Sequence, residues 1–155
     1  MTRARVALAL LNLSGGLMIL GAGYDLALDA PPLLWAELLG QPPSSLPPAV
    51  ARLLMALVHA LGGTLLAAGV VVLLLVNGPV RRGDRTTALA VLVLVCLGEG
   101  GNGLQMVRAG GSYGWGVLAV ILPALLGLLL AYVPSPAFGQ ASSSRSMART
   151  RDRHA

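Results

Sequence analysis

The sequence predicts an all-α, polytopic integral membrane protein: a bundle of four transmembrane helices with a short external helix at the membrane interface. Of its 155 residues, 55% are hydrophobic and only 11% are charged, and the mean hydropathy is +0.77. A chain of this size and composition cannot cover a soluble domain with a polar surface. Four apolar windows separated by arginine-bearing or proline-rich connections specify the number of helices.

The four windows each contain about 18 or more predominantly apolar residues, enough to cross about 30 Å of hydrocarbon. They cover residues 5–25, 50–76, 87–108 and 113–133. The first could be a signal peptide, but its apolar run of about 19 residues exceeds the usual signal core of about 7 to 15, so we interpret it as a retained span. In the fourth, Pro123 removes one backbone hydrogen bond and predicts a kink.

The third window ends in an unusual stretch, "CLGEGGNGLQM", in which Glu99 stands among four glycines and is followed by Asn102 and Gln105. If this window did not cross the membrane, arginine-rich segments would lie on opposite sides of it. We therefore place the stretch inside the membrane, in the outward half of the helix. Its glycines would permit close helix approach and local unwinding of the backbone.

The connection 26–49 contains six of the ten prolines and separates the first two windows. Pro31 and Pro32, then Leu33, Leu34, Trp35, Leu38 and Leu39, then Gly40, are typical of a short helix with a proline start and a glycine stop. We expect this helix to lie on the outer membrane interface or to cap the bundle. The alternative is a loop that merely packs on the helix ends.

Nine of the eleven arginines fall on one side of the four windows, and this asymmetry predicts orientation. The nine are Arg3, Arg5, Arg81, Arg82, Arg85, Arg145, Arg149, Arg151 and Arg153. The opposite side carries only Arg52 and Arg108. We predict a multi-pass protein of the bacterial inner membrane with both termini in the cytoplasm, and a disordered, Arg- and Ser-rich cytoplasmic tail over residues 134–155.

Polar residues at one depth form the candidate ligand-binding site. His59 and Glu99 each lie about eight residues from the outer end of their windows, and a carboxylate in the membrane costs on the order of 2.5 to 3.5 kcal/mol by insertion scales, so it needs polar neighbours. The candidate residues are Glu99, His59, Asn102, Gln105, Tyr24 and Asp25.

Two functions are compatible with such a cluster. The first is that of an accessory or structural membrane component in which the cluster joins helices. The alternative is a binder or transporter of a small lipophilic or proton-coupled ligand, which would use a pocket around Glu99 and His59. The partners we consider are the lipid bilayer, a small lipophilic ligand, a second copy of the chain and another membrane protein.

Several classes of function are disfavoured by the sequence. His59 has only His154, in the tail, as a second histidine, so no metal-ligand pair is present and we expect no metal. No phosphate-binding loop or nucleophile motif occurs, and we expect no cofactor; an enzyme is not the leading interpretation. The arginines lack interleaved aromatics and a folded basic domain, which argues against nucleic-acid binding.

The pattern of four helices up to Tyr132, with "DAPPLLWAELLG" outside and "HALGGTLLAAGVVVLLL" in the second window, resembles small four-helix bacterial inner-membrane proteins of the DoxX-like kind. The resemblance implies a fold and an inner-membrane location rather than an activity. Small multidrug-type transporters also combine four helices with one membrane glutamate. That glutamate lies in their first helix, whereas Glu99 lies in the third window, which counts against that family.

Overall fold

The computed structural model describes residues 2–32, 35–108 and 114–132, and within these residues all regular structure is helical. The helices are α1 (Arg3–Leu26), α2 (Ala36–Leu39), α3 (Pro48–Asn77), α4 (Arg85–Arg108) and α5 (Gly114–Tyr132), with 3-10 turns at Pro43–Ser45 and Val80–Arg82. The prediction of an all-α protein built on four long helices is confirmed. The predicted tail, 134–155, lies outside the described residues.

The four long helices follow the four apolar windows to within a few residues. Three of them are long and apolar enough to cross a membrane: Arg3–Leu26, the segment Pro48–Arg82, and Arg85–Arg108. The described apolar part of α5, Gly116–Tyr132, is shorter. At about 1.5 Å per residue, the 19 residues of α5 extend about 28 Å.

Helix α1 is the central packing partner of the bundle. It packs extensively against both α3 and α5, and α5 packs in turn against α4. By comparison, α3 and α4 touch little, although a short connection joins them. In each packed pair, residues near the start of one helix contact residues near the end of the other, so packed helices are antiparallel. Of the helix pairs that adjoin around the bundle, α3 and α4 contact each other least.

Glycines let α1 and α3 approach closely. A methyl group at Gly15 would lie 2.9 Å from the Leu73 side chain, and one at Gly69 would lie 3.0 Å from the Gly15 carbonyl oxygen. These distances are shorter than ordinary van der Waals contacts. At Gly15 the Leu73 side chain would have to move, and at Gly69 the neighbouring atom is backbone, so a side chain there would push the helices apart. Small residues at helix contacts are typical of membrane bundles.

The α5 helix continues through Pro123. Proline has no N–H to donate to the carbonyl four residues earlier, that of Ala119. On the adjacent residue, the Val120 carbonyl oxygen accepts a hydrogen bond of 2.9 Å from the buried Ser14 hydroxyl of α1. Ser14 therefore joins α1 to α5 beside the position where proline interrupts the backbone bonding, as expected of a helix-packing group.

One end of the bundle carries most of the described arginines. Arg3 and Arg5 begin α1, Arg81 and Arg82 lie in the turn after α3, and Arg85 begins α4. This end is also held by polar contacts. The Asn77 amide of α3 donates to the Asn12 side-chain oxygen of α1 at 2.6 Å, and the Tyr132 hydroxyl donates to the Arg85 carbonyl oxygen.

The short helix of the external connection is present but smaller than the sequence suggested. It covers Ala36–Leu39, and Gly40 follows it in the left-handed conformation with φ of 64°. This is the glycine stop that the sequence predicted, because residues other than glycine adopt positive φ at a steric cost. The proline start is not part of the helix; Pro32 instead accepts a hydrogen bond from the Trp35 N–H.

Candidate functional site

Glu99 lies inside the bundle because of its register on α4. The buried residues of this helix recur every three or four positions: Ala88, Val91, Val95, Glu99 and Gly103. That spacing keeps them on one helix face. Glu99 is only 5% exposed, whereas its neighbour Leu97, on the opposite face, is 73% exposed. A carboxyl group thus occupies a position where the other members of the stripe are apolar or small.

The glycines around Glu99 differ in role. A methyl group at Gly103 would lie 3.0 Å from Val117 Cβ on α5, so this glycine sets the close approach of α4 and α5. At Gly98 and Gly101 a methyl group would meet no atom within 4 Å. The helix is continuous from Arg85 to Arg108. Of the two possibilities that these glycines permit, the helix shows no local unwinding, and close helix approach occurs at Gly103 but not at Gly98 or Gly101.

His59 is fixed on the loop that follows α1. Its Nε2 lies 2.9 Å from the Leu28 carbonyl oxygen. Because a carbonyl oxygen only accepts, Nε2 carries the hydrogen and donates it, and in the neutral ring Nδ1 is then the acceptor. His59 is otherwise exposed. The anticipated contact between His59 and the polar residues of α4 is replaced by this bond to the backbone.

Helix geometry explains why His59 reaches the loop after α1. Gly62 is buried against α1, and Leu65, three residues later, packs on the core. His59 precedes Gly62 by three residues, so at about 100° per residue it lies about 60° around α3 from the Gly62 contact with α1, on the side away from Leu65. The sequence placed His59 and Glu99 at one depth but could not determine this rotation.

Asp25 interacts electrostatically with both His59 and Glu99. Its Cβ lies against Gly62, where a methyl group would come within 3.0 Å of it. The acidic cluster, defined here as Asp25, His59 and Glu99, thus combines groups from α1, α3 and α4 at the end of the bundle opposite the arginine-rich end.

The remaining candidate residues, like His59, are exposed, and none of them lies beside Glu99 in the bundle interior. Tyr24 is 53% exposed on α1, and Asn102 and Gln105 are both exposed on α4. Within the described part of the chain, no three His, Cys, Asp or Glu residues are arranged to hold a metal ion. What the cluster can do chemically is exchange protons, accept hydrogen bonds and attract a cation.

Comparisons of the chain with protein families, with curated proteins and with solved structures found no match.

Proposed function

We propose that the chain is a four-span protein of the bacterial inner membrane, of the DoxX-like kind, that acts as an accessory or structural membrane component. The observation that carries the proposal is the exposure of large apolar side chains around the bundle. Leu20 on α1, Leu74 on α3 and Leu97 on α4 are 70%, 68% and 73% exposed, respectively. A hydrocarbon environment removes the free-energy cost of exposing such a surface to water.

The distribution of charge supports an orientation with both termini in the cytoplasm. Five of the described arginines lie at one end of the bundle, which is formed by the start of α1, the turn after α3 and the start of α4. Arg52 and Arg108 lie at the opposite end. Basic residues in short connections remain on the cytoplasmic side of the inner membrane. The crossing by α5 completes the even number of spans and returns the chain to the cytoplasm.

Reporter fusions test this topology. A reporter after Ser44 is expected to be active outside the cytoplasm, and one after Ser143 is expected to be active inside it. Reporters that indicate the same side of the membrane at both positions would contradict four spans. A chain recovered in the soluble fraction would contradict membrane insertion altogether.

A second function is favoured by one specific observation: Asp25 interacts electrostatically with both His59 and Glu99. We infer that the acidic cluster binds a small lipophilic cation or exchanges protons with it. Two carboxyl groups close together repel each other when both are ionised, and a cation or a shared proton relieves that repulsion. We expect the ligand to approach between α3 and α4, which contact each other only sparsely.

The test uses a lipophilic phosphonium ion as the probe, with the protein in vesicles. Binding that falls at least about tenfold in both Asp25→Asn and Glu99→Gln supports a cation site. Asp29→Asn is the matched control, because Asp29 is exposed in the same end of the molecule. Equal binding by the wild-type protein and both variants would leave the cluster with a structural role alone.

A further inference from the structure

Helix α4 carries a second polar surface that the acidic cluster does not use. It consists of Gly98, Gly101, Asn102 and Gln105 and is called the glycine–amide face below. All four residues are exposed, and a methyl group at either glycine would find open space. Within the described residues, the bundle leaves this face uncovered.

The four residues form one continuous surface. With about 100° of rotation per residue, they fall within an arc of about 100°, centred about 150° away from Gly103, which contacts α5. Asn102 lies six residues before Arg108, the last residue of α4, hence about 9 Å from the helix end. In a helix that crosses the membrane, this depth places the Asn102 amide within the outer half of the span and Gln105 nearer the interface.

An amide facing hydrocarbon at this depth requires a hydrogen-bonding partner, because lipid tails offer neither donors nor acceptors. Asn and Gln side chains supply such bonds between transmembrane helices, and glycines let the two backbones approach closely enough to form them. The glycine–amide face combines both features within two helical turns.

We propose that the glycine–amide face is the contact surface of a parallel homodimer, in which α4 of one copy packs against α4 of a second copy. The proposal rests on the membrane insertion proposed above. Every copy inserted with the same topology has Asn102 at the same depth, so a two-fold axis along the membrane normal places each amide beside its counterpart. Because an amide both donates and accepts, each can bond to an identical group.

This self-complementarity is the reason for choosing a second copy as the occupant. A different membrane protein would need its own polar group at the same depth and a similarly small surface beside it. The second copy supplies both through symmetry. Its packing would leave the α1–α3, α1–α5 and α4–α5 contacts intact, since the face lies outside them.

Disulfide cross-linking in native membranes tests the contact directly. Cysteines are introduced singly at Gly98, Gly101 and Leu129 of the full chain, in a Cys96→Ser background. Leu129 of α5 is 59% exposed and serves as the control. Mild oxidation is expected to produce a covalent dimer from Gly98→Cys and Gly101→Cys but not from Leu129→Cys. Equal dimer yield at all three positions, or adducts only with a different protein, would overturn the proposal.

Energy transfer between labelled copies in vesicles, measured over a dilution series, tests the chemistry of the contact. Asn102→Leu is expected to weaken association on the order of threefold to twentyfold, the range of one interhelical hydrogen bond in a membrane. Gly98→Leu is expected to weaken it further by preventing close approach. Gly63→Leu is the control, because Gly63 also faces open space but lies on α3.

These outcomes separate the two proposals. A chain that inserts with the topology given above but remains monomeric at all dilutions overturns the dimer and leaves the membrane assignment intact. A chain that fails to insert removes the basis of both. Folding of each variant is checked by helical content and elution as a single species, and loss of folding in Gly98→Leu or Asn102→Leu would contradict the open environment on which the proposal rests.

Discussion

Individual glycines illustrate how a single missing side chain decides which helices meet. Gly62 and Gly63 are neighbours on α3, yet a methyl group at Gly62 would lie 3.0 Å from Asp25 Cβ and 3.3 Å from the Ala22 carbonyl oxygen, whereas one at Gly63 would meet nothing within 4 Å. The first residue belongs to the contact with α1, and the second does not. The sequence "LGG" does not distinguish them.

The contrast yields a matched pair of variants. Gly62→Ala is expected to lower the free energy of unfolding by about 1 to 3 kcal/mol, because the backbone of α1 cannot yield as a flexible side chain would. Gly63→Ala is expected to be neutral or to stabilise by up to about 1 kcal/mol, through better helix propensity. Reversible unfolding in mixed detergent measures both, and a Gly62→Ala protein as stable as Gly63→Ala would contradict the close packing of α1 on α3.

Two substitutions of Glu99 distinguish whether the buried carboxyl group acts through its hydrogen-bonding capacity or through its ability to titrate. Glu99→Gln preserves size and hydrogen-bonding capacity, so its folding yield is expected to match that of the wild-type protein. Glu99→Leu removes that capacity, and if a neighbouring group of the bundle depends on it, the group left unpaired costs about 1 to 3 kcal/mol. A collapse of folding in Glu99→Gln would show that the structure requires an ionised, paired carboxylate.

At the level of elements, the start of α4 is fixed by a side-chain cap. The Thr87 hydroxyl donates to one Asp84 carboxylate oxygen at 2.7 Å, and the Thr87 N–H donates to the other at 3.2 Å. These two bonds, the hydroxyl first, hold the pKa of the Asp84 carboxyl below its usual value of 3.8. Asp84 thus satisfies a backbone donor of the first turn, as N-cap residues do.

The cap predicts an acid-sensitive component of stability. Because the pKa of Asp84 is lower in the folded chain than in the unfolded chain, its contribution is fully present above 3.8 and is lost as the pH falls through the folded-state value. The thermal transition of the wild-type protein is therefore expected to fall on acidification below about pH 4 more steeply than that of Asp84→Asn. Parallel curves for the two proteins would exclude this contribution.

For the whole molecule, the unequal number of arginines at the two ends of the bundle depends on both the sequence and the arrangement of the helices. The antiparallel helices bring Arg81, Arg82 and Arg85 to the same end of the bundle as Arg3 and Arg5. If this charge sets the orientation, replacing Arg81, Arg82 and Arg85 by Gln is expected to reduce the fraction of chains that expose Ser44 outside the cytoplasm. The activity of a reporter at Ser44 measures that fraction, and replacement of Arg52 by Gln is the control at the other end.

The positions of the helices were determined by the sequence itself. Continuous apolar windows, the glycine stop at Gly40 and the proline-rich connection are local features, and the structure places α1, α3, α4 and α5 within a few residues of the predicted spans. Hydrophobicity and backbone conformational preferences act through neighbouring residues, so they can be evaluated without knowledge of the fold. The expectation that His59 and Glu99 lie at one depth came from the same local counting.

Which side chains meet was decided only by the tertiary structure. The sequence suggested that His59 faces the polar residues of α4, but His59 bonds to the Leu28 carbonyl oxygen. Asp25 of α1 is the group in electrostatic range of both His59 and Glu99. Helix rotation and the choice of α1 as the shared partner of α3 and α5 depend on how glycines such as Gly62 and Gly103 fit their neighbours. That fit is a relation between distant segments, and neither composition nor periodicity contains it.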